Sequence, residues 1–420
     1  MVSDTMATGE ALHGSGLTID QSKRPDISYH PDEAKWRALT ARRLAEDPSL
    51  PHTPLPQGFP KQLAGPLVWE GKQWADEDLW VYSLSEEELQ EIDKAVHYFE
   101  DSGHSLTQVD QTTFPLPKLS HTLHNLAAEL YAGRGFFLLR SIPTSIYTPS
   151  QNTLIYLGIS AYIAPTIASQ DPSNGSMVGH ITDLSSKDEN GRPGAPAYRN
   201  VSQPFHSDPG DIVSLFTLGE AEEGGESKLV SAWRVYNELA ETRPDLVKVL
   251  AEPFPLEVSG VLAANRNAPY QLRPFLYKCP QDDRIIIQFS RRLATGFQDR
   301  PRSPAIPPLT EAQAEAIDAL HFLSEKHCLT MKLRTGDIQY VSNLGLFHAR
   351  EGFVDSPQNK RHLLRLWLRN EEMAWPTPPA LQVRYNNLFK KVPEDRQRFP
   401  VEPEVRSMYR GPSLENKAKA

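Results

Sequence analysis

The sequence has little of several features that would point to a particular compartment or partner. Its 420 residues include only two cysteines, Cys279 and Cys328, too few for a disulfide framework or a thiolate zinc site. The formal net charge is −9 and no block of lysine and arginine stands out, which argues against a nucleic-acid partner. The longest apolar stretch, Leu154 to Ala168, is too short to span a bilayer. Residues 1–16 lack the apolar segment of a secretory signal, so we expect a cytoplasmic protein with no membrane partner.

Proline, in contrast, is frequent and clusters near both ends of the chain. Composition predicts a Pro-rich N-terminal arm that packs on the core, a main domain and a C-terminal tail, at residues 1–84, 85–375 and 376–420. Within the arm, Asp32 to Leu44 is compatible with a helix. An aromatic cluster is expected to anchor the arm on the core: Trp69, Trp74, Trp80 and Tyr82. Residues 168–203 are polar and rich in Gly, Ser, Asp and Pro, which is typical of a lid beside an active site.

Hydrophobic periodicity predicts a mixture of helices and strands in the main domain. The predicted helices span Ser85–Phe99, Leu119–Tyr131, Gln151–Ile167, Val235–Leu250 and Glu311–His327. Capping-box residues precede the first and the last of these helices. The predicted strands span Phe136–Leu139, Ile285–Phe289, Ile338–Val341 and Leu363–Leu368.

One pattern in this domain has the composition of an iron site. Two histidines and one carboxylate can occupy one face of an octahedral iron(II) and leave the opposite face open. Alternate residues of a strand point to the same face, so His206 and Asp208 can bind one metal together. The triplet alone is a weak signal, because His30-Pro31-Asp32 repeats it in the Pro-rich arm, without strand context. His348 lies in an apolar segment, where a lone histidine is usually a packed core residue, and its assignment depends on the residues around it.

Arginines follow His348 within a short distance. A planar guanidinium can hold both oxygens of a buried carboxylate, which suits the far carboxylate of 2-oxoglutarate. Arg361 and Arg365 are the candidates for such a contact. For Arg350 and Arg369 we expect ordinary salt bridges.

Taken together, the ordered motifs resemble the taurine/2-oxoglutarate dioxygenase (TauD/TfdA) family, and especially its fungal clavaminate-synthase-like members. The resemblance covers roughly residues 110–370 and no single motif is strong, but the ordered set is specific. The matching pieces are Phe205-His206-Ser207-Asp208, Gly224-Gly225-Glu226-Ser227, Gly336-Asp337, Asn343, His348-Ala349-Arg350 and Arg361 to Leu368.

The resemblance implies a mixed β fold with flanking helices, built on a double-stranded β-helix (jelly-roll, cupin-like) core. It implies that His206, Asp208 and His348 are the Fe(II) ligands, and that the chain is an Fe(II)- and 2-oxoglutarate-dependent dioxygenase. Such an enzyme uses O2, releases succinate and CO2, and hydroxylates its substrate, with desaturation or cyclisation as further outcomes.

The resemblance also implies two cosubstrate contacts and one substrate contact. Arg361 matches the arginine that pairs with the far carboxylate of 2-oxoglutarate, and Ser227 stands where the family usually has a threonine hydroxyl. Arg365 matches an arginine that binds the substrate anion in some members, although it is structural in others. We expect a small-molecule substrate that is anionic or amino-acid-like, or a secondary-metabolite intermediate. The sequence allows a homo-oligomer.

Two other functions are compatible with the same residues. A 2-oxoglutarate-independent non-haem iron oxygenase needs the triad but has no use for Arg361 and Ser227. A catalytically inactive jelly-roll binding protein would need none of them.

Overall fold

The computed structural model describes residues 25–185, 195–258, 269–297 and 300–407. Four sequence predictions therefore fall partly or wholly outside the described residues: the missing secretory signal, the start of the arm, the middle of the lid and the end of the tail. The helices are α1 (Glu33–Glu46), α2 (Glu86–Asp101), α3 (Leu119–Tyr131), α4 (Pro149–Ile163), α5 (Ala232–Thr242), α6 (Pro244–Ala251), α7 (Arg291–Thr295), α8 (Glu311–His327) and α9 (Pro379–Leu388).

The strands are β1 (Val81–Ser83), β2 (Phe136–Arg140), β3 (Thr166–Ala168), β4 (Gly179–Thr182), β5 (Gln203–His206), β6 (Ile212–Gly219), β7 (Glu223–Gly224), β8 (Ser227–Ser231), β9 (Phe254–Glu257), β10 (Tyr270–Arg273), β11 (Leu276–Lys278), β12 (Ile285–Ile287), β13 (Gly296–Phe297), β14 (Arg300–Pro301), β15 (Leu329–Met331), β16 (Ile338–Ser342), β17 (Leu346–Arg350), β18 (Phe353–Val354) and β19 (His362–Arg369). The four predicted strands all form, at β2, β12, β16 and β19.

Two sheets make up the core. The larger sheet has the order β1-β2-β16-β6-β19-β3, with β4 also pairing with β19, and the smaller one has the order β15-β8-β17-β5. Along the chain the strands alternate between the sheets: β5 lies in the smaller, β6 in the larger, β8 in the smaller, β16 in the larger, β17 in the smaller and β19 in the larger. The strands pair antiparallel except for β1 with β2, and this alternation between two sheets is the topology expected of a double-stranded β-helix. Residues of both sheets belong to one hydrophobic cluster.

Helices cover both sheets. On the larger sheet α3 contacts β2 and β16, and on the smaller sheet α8 contacts β5 and β8. The helix predicted over Val235–Leu250 is wrong in one respect, because the structure divides it into α5 and α6. The break falls at Arg243, whose backbone (φ −144°, ψ 61°) is not helical, since Pro244 disfavours the helical region for the residue before it. Pro244 instead begins α6, a position where a missing N–H costs little.

The described parts of the arm and the tail pack on this core. In the arm, Trp36 of α1 stacks on Phe322 of α8 with ring centroids 4.9 Å apart. Three of the four predicted aromatic residues form a cluster, since Trp69, Trp74 and Trp80 are all in ring contact with Phe136 of β2, while Tyr82 is partly buried against the core. In the tail, the Arg398 carbonyl accepts a hydrogen bond from the Met177 N–H at 2.9 Å.

The region predicted as a lid is partly regular structure. Residues of β4 pair with β19, so Gly179 lies opposite Arg365 and Thr182 opposite His362. Among the residues that the structure describes, no helix is long and apolar enough to cross a membrane.

Candidate metal centre

The smaller sheet brings the two predicted histidines together. Antiparallel pairing of β5 with β17 places His206 directly opposite His348, and opposite residues project from the same face of a sheet. The two imidazole centroids are 4.2 Å apart. A separation of 142 positions in sequence is thereby closed by a single strand pair.

Asp208 reaches the histidines in a different way from the one predicted. The strand ends at His206, so the two residues do not share a strand face. Asn343 holds Asp208 instead: its Oδ1 accepts from the Asp208 N–H at 2.8 Å, and its Nδ2 donates to the Asp208 carbonyl. The result is that Asp208 Oδ1 lies 3.7 Å from His206 Nε2, and one ligand atom from each of the three residues lies within 4.8 Å of the others.

The rejected copy of the triplet has an ordinary structural role. Asp32 is the N-cap of α1, where its side chain accepts a hydrogen bond from the Lys35 N–H at 3.0 Å. A carboxylate in that position satisfies a backbone donor at the start of a helix.

The electrostatics of the triad suit a cation. Burial lowers the pKa of His348 to about 3, and burial likewise lowers the pKa of His206 below its usual value. Burial alone would raise the pKa of Asp208, but the charge of Arg365 and the two histidines hold it well below its usual range. At neutral pH the site therefore offers two neutral imidazoles and a carboxylate, the protonation states that metal binding requires.

The hydrogen-bond partners of the ring nitrogens of His206 and His348 are also compatible with a metal ion. His206 Nδ1 lies 3.0 Å from the Pro204 carbonyl, to which it can donate, leaving Nε2 as an acceptor. In this structure that Nε2 accepts from the Gln203 amide at 2.9 Å, a contact that a metal ion at Nε2 would replace. His348 Nδ1 is buried and has no hydrogen-bond partner among the described residues. Such a buried, unsatisfied nitrogen is costly unless a ligand meets it.

Arg365 lies on β19 and binds the carboxylate of the triad. Its Nη1 donates to Asp208 Oδ2 at 3.0 Å, and its Nε donates to Gln170 Oε1 at the same distance. Trp367 Nε1 also donates to Asp208 Oδ2, at 2.9 Å. Because both donors use Oδ2, the other carboxylate oxygen remains on the side of His206. Sequence reasoning gave no role to Trp367 or Asn343, although both lie in the matched motifs, and Gln170 carried no signal at all.

Arg361 and Ser227, the two predicted cosubstrate contacts, are both buried. Arg361 is buried, and its Nη1 has no hydrogen-bond partner among the described residues. Gly225 packs so closely on it that a Cβ there would lie 3.0 Å from Arg361 Nε. Ser227, two residues further on, begins β8 and is also buried. Burial, with the nearby charge of Arg350, lowers the pKa of Arg361 to about 9.

The two arginines expected to form salt bridges differ. The prediction for Arg369 is confirmed, since its Nη1 contacts both carboxylate oxygens of Asp211 at 3.1 and 2.8 Å. For Arg350 the prediction is wrong. Its Nη2 donates to the backbone carbonyls of Arg199 and Val201, and no described carboxylate forms a salt bridge with it.

Comparison with known proteins identifies the family. The model of the family described as "Taurine catabolism dioxygenase TauD, TfdA family" matches residues 101–367. The taurine hydroxylase-like protein SAT17 of Stachybotrys chartarum is 33% identical over 361 residues, covering 83% of this chain and 91% of the relative. The chain belongs to the TauD/TfdA family. A further relative of this TauD/TfdA protein is the FR-33289 synthase of Streptomyces rubellomurinus, 27% identical over 320 residues, which cover 74% of this chain and 91% of the relative.

Solved structures agree on the fold of this TauD/TfdA protein. Asparagine oxygenase in complex with Fe(II), hydroxyasparagine and succinate matches with a TM-score of 0.53 at 15% identity, over 69% of this chain and 93% of the other. The oxygenase OrfP in complex with Fe and α-ketoglutaric acid matches with a TM-score of 0.51 at 14% identity, over 69% and 94%. The predicted jelly-roll core is thus confirmed, and the chain is a dioxygenase that depends on Fe(II) and 2-oxoglutarate.

Proposed function

We propose that His206, Asp208 and His348 hold the Fe(II) of this dioxygenase. The observation that carries this proposal is the convergence of three ligand atoms, one from each of three half-buried residues, within 4.8 Å. The unsatisfied His348 Nδ1 supports it. The iron would lie beside His206 at the end of β5 and His348 in the middle of β17, and Asn343 fixes the loop that carries Asp208.

Arg361 and Ser227 would bind the far carboxylate of 2-oxoglutarate. Arg361 has the required property, a buried guanidinium nitrogen without a partner in the described part of the chain. Iron(II) and 2-oxoglutarate together supply the oxidising chemistry, in which O2 gives one atom to succinate and the other to the substrate. The chain's own residues orient that reaction: Asn343 and Arg365 hold the carboxylate ligand, and the buried site excludes water from the reacting atoms.

The substrate would be a small anionic or amino-acid-like molecule. Two observations support this class. Arg365, a cation, lies beside Asp208 at the triad. Relatives and structural neighbours carry names that refer to taurine, asparagine and hydroxyarginine, all of which bear an acid group. We further propose that a small molecule is the principal partner and that the location is cytoplasmic. The two free cysteines support the location, because disulfides are rare in reducing compartments.

Anaerobic binding tests the iron and cosubstrate assignments. Addition of Fe(II) and then 2-oxoglutarate to the protein should produce a visible charge-transfer band, because the cosubstrate chelates the iron. A panel of sulfonates, carboxylates and amino acids should then be screened for stimulated succinate release in air. If the charge-transfer band forms but no acid stimulates succinate release, the substrate class is rejected and the assignment of 2-oxoglutarate stands. If no band forms, the assigned iron site is rejected.

A further inference from the structure

Arg350 is a buried cation that the site described so far does not use. Its side chain is almost fully enclosed, and Nη2 is satisfied by the carbonyls of Arg199 and Val201. Its Nε and Nη1 are buried without hydrogen-bond partners among the described residues. Two unsatisfied donors on one buried guanidinium are expensive, because each loses its water without a replacement. Such a group is expected to meet an anion when a ligand is bound.

Strand register places Arg350 beside the cosubstrate site. Arg350 lies two residues after His348 on β17, so the two side chains project from the same face. Across the sheet its direct partner is Ser227 of β8, and opposite residues of an antiparallel pair also share a face. Arg350 therefore sits in the row next to the iron ligands, adjacent to the serine hydroxyl that we assign to the far carboxylate.

A second connection runs through Phe353. The Arg350 guanidinium carbon lies 4.8 Å from the centre of the Phe353 ring, and that of Arg361 lies 5.4 Å from the same centre. Stacking on an aromatic ring fixes the plane of a guanidinium and stabilises its charge. The two cations also repel each other, and this repulsion adds to burial in lowering the pKa of Arg361. An anion bound between them would remove that repulsion.

We propose that Arg350 is a second guanidinium for the far carboxylate of 2-oxoglutarate, acting with Arg361 and Ser227. The inference rests on the proposed function, since it assumes that the cosubstrate occupies this site. It adds a residue that sequence reasoning had placed in a salt bridge. The competing role is structural, in which Arg350 only ties residues 199–201 to β17 through its Nη2.

Binding of two 2-oxo acids separates these roles. 2-Oxopentanoate has the chain length and chelating end of 2-oxoglutarate but no far carboxylate. Both acids should be titrated anaerobically into the Fe(II)-loaded protein, with the charge-transfer band as the readout, for the wild type and for Arg350→Gln. Thermal unfolding of each protein without ligand gives a separate measure of structure. Arg284→Gln is the matched control, because Arg284 also stacks on an aromatic ring, Trp375, at 4.9 Å and pairs with its own carboxylate, Asp282.

The proposal makes a differential prediction. Arg350→Gln should weaken 2-oxoglutarate binding about 10- to 100-fold, the typical value of a charge-assisted hydrogen bond to a carboxylate, and leave 2-oxopentanoate binding within about 2-fold. Equal weakening of both acids, or unchanged binding of 2-oxoglutarate, would overturn it. If the wild-type protein gave no band with either acid, the proposed function itself would fail, which is a distinct outcome.

Discussion

Two aromatic rings, Phe353 and Trp367, each contact two arginines. The two sets differ in whether the guanidinium groups have hydrogen-bond partners in the protein. We name them the Phe353 pair, Arg350 and Arg361, and the Trp367 pair, Arg365 and Arg406. In the Phe353 pair both guanidiniums keep buried nitrogens without partners among the described residues. In the Trp367 pair both guanidiniums contact protein acceptors.

The acceptors of the Trp367 pair lie on the metal ligand Asp208, on Gln170 and on Tyr198. Arg365 donates to Asp208 and Gln170, while Nε of Arg406 lies 3.2 Å from the Tyr198 hydroxyl. A buried cation with a protein carboxylate is already neutralised and serves the scaffold, whereas one without an acid needs an anion from outside. The comparison therefore separates the Phe353 pair, whose buried donors suit an anion from outside, from Arg365, which holds the carboxylate ligand of the metal.

The largest effect is expected from removing one of the three proposed iron ligands. His348→Ala should abolish iron binding and bring substrate-dependent succinate formation to background, because it removes one of three protein ligands. His180→Ala is the matched control, since His180 is also a buried strand histidine but lies on β4. Anaerobic metal titration and circular dichroism measure the two properties. Normal iron binding by the His348 variant would reject the assigned triad.

The next largest effect is expected from a change in the Phe353 pair. Arg361→Gln should raise the 2-oxoglutarate concentration required for half-maximal rate about 100-fold or more, because a bidentate contact comprises two charge-assisted hydrogen bonds. Iron affinity should stay the same, since no described contact joins Arg361 to the triad. Steady-state kinetics and the anaerobic titration provide the two measurements. An unchanged 2-oxoglutarate requirement would transfer the role to Arg365.

Much of this arrangement could be predicted from the sequence, because periodicity and motif order are local properties. The strands β2, β16 and β19 and the helix α8 follow directly from apolar spacing and capping residues. The pairing of His206 with His348 was predicted only through the order of the motifs, since no local pattern determines which distant strands become neighbours.

Other features depend on tertiary contacts that no local pattern contains. The role of Asn343 in placing Asp208 arises from two hydrogen bonds across 135 positions. The misassignment of Arg350 has a similar cause, because the sequence shows only an arginine two residues after His348. Its burial and its position opposite Ser227 are properties of the folded sheet. The contact of Gln170 with Arg365 likewise requires the folded sheet.

A smaller effect is expected from a change in the Trp367 pair. Arg365→Gln should lower iron affinity about 10- to 100-fold, the usual cost of removing a group that orients a metal ligand, because Asp208 Oδ2 loses its charged partner. Arg369→Gln is the matched control, as Arg369 lies on the same strand and pairs with Asp211 instead. Iron titration with and without substrate is the measurement. If iron affinity is unchanged and only the substrate concentration needed for half-maximal rate rises, Arg365 binds the substrate. Arg365 would then not serve to hold Asp208, and the two pairs would not differ as described.

The smallest effect is expected for the other member of the Trp367 pair. Arg406 comes from the C-terminal tail and lies 5.4 Å from the centre of the Trp367 ring, whose Nε1 donates to Asp208. Because Arg406 contacts the ring and not Asp208 itself, Arg406→Gln should lower iron affinity only about 2- to 5-fold, which corresponds to about 0.5–1 kcal/mol, the lower part of the range for a cation–π contact.

Arg398→Gln is the control for this last change, because Arg398 lies in the same tail and pairs with Glu404 away from the ring. Both variants should keep the wild-type affinity for 2-oxoglutarate, since neither belongs to the Phe353 pair. Iron titration and the charge-transfer titration measure the two affinities on the same samples. A loss of 2-oxoglutarate affinity in Arg406→Gln without a loss of iron affinity would show that the tail acts on the cosubstrate. The division between the Phe353 pair and the Trp367 pair would then not hold.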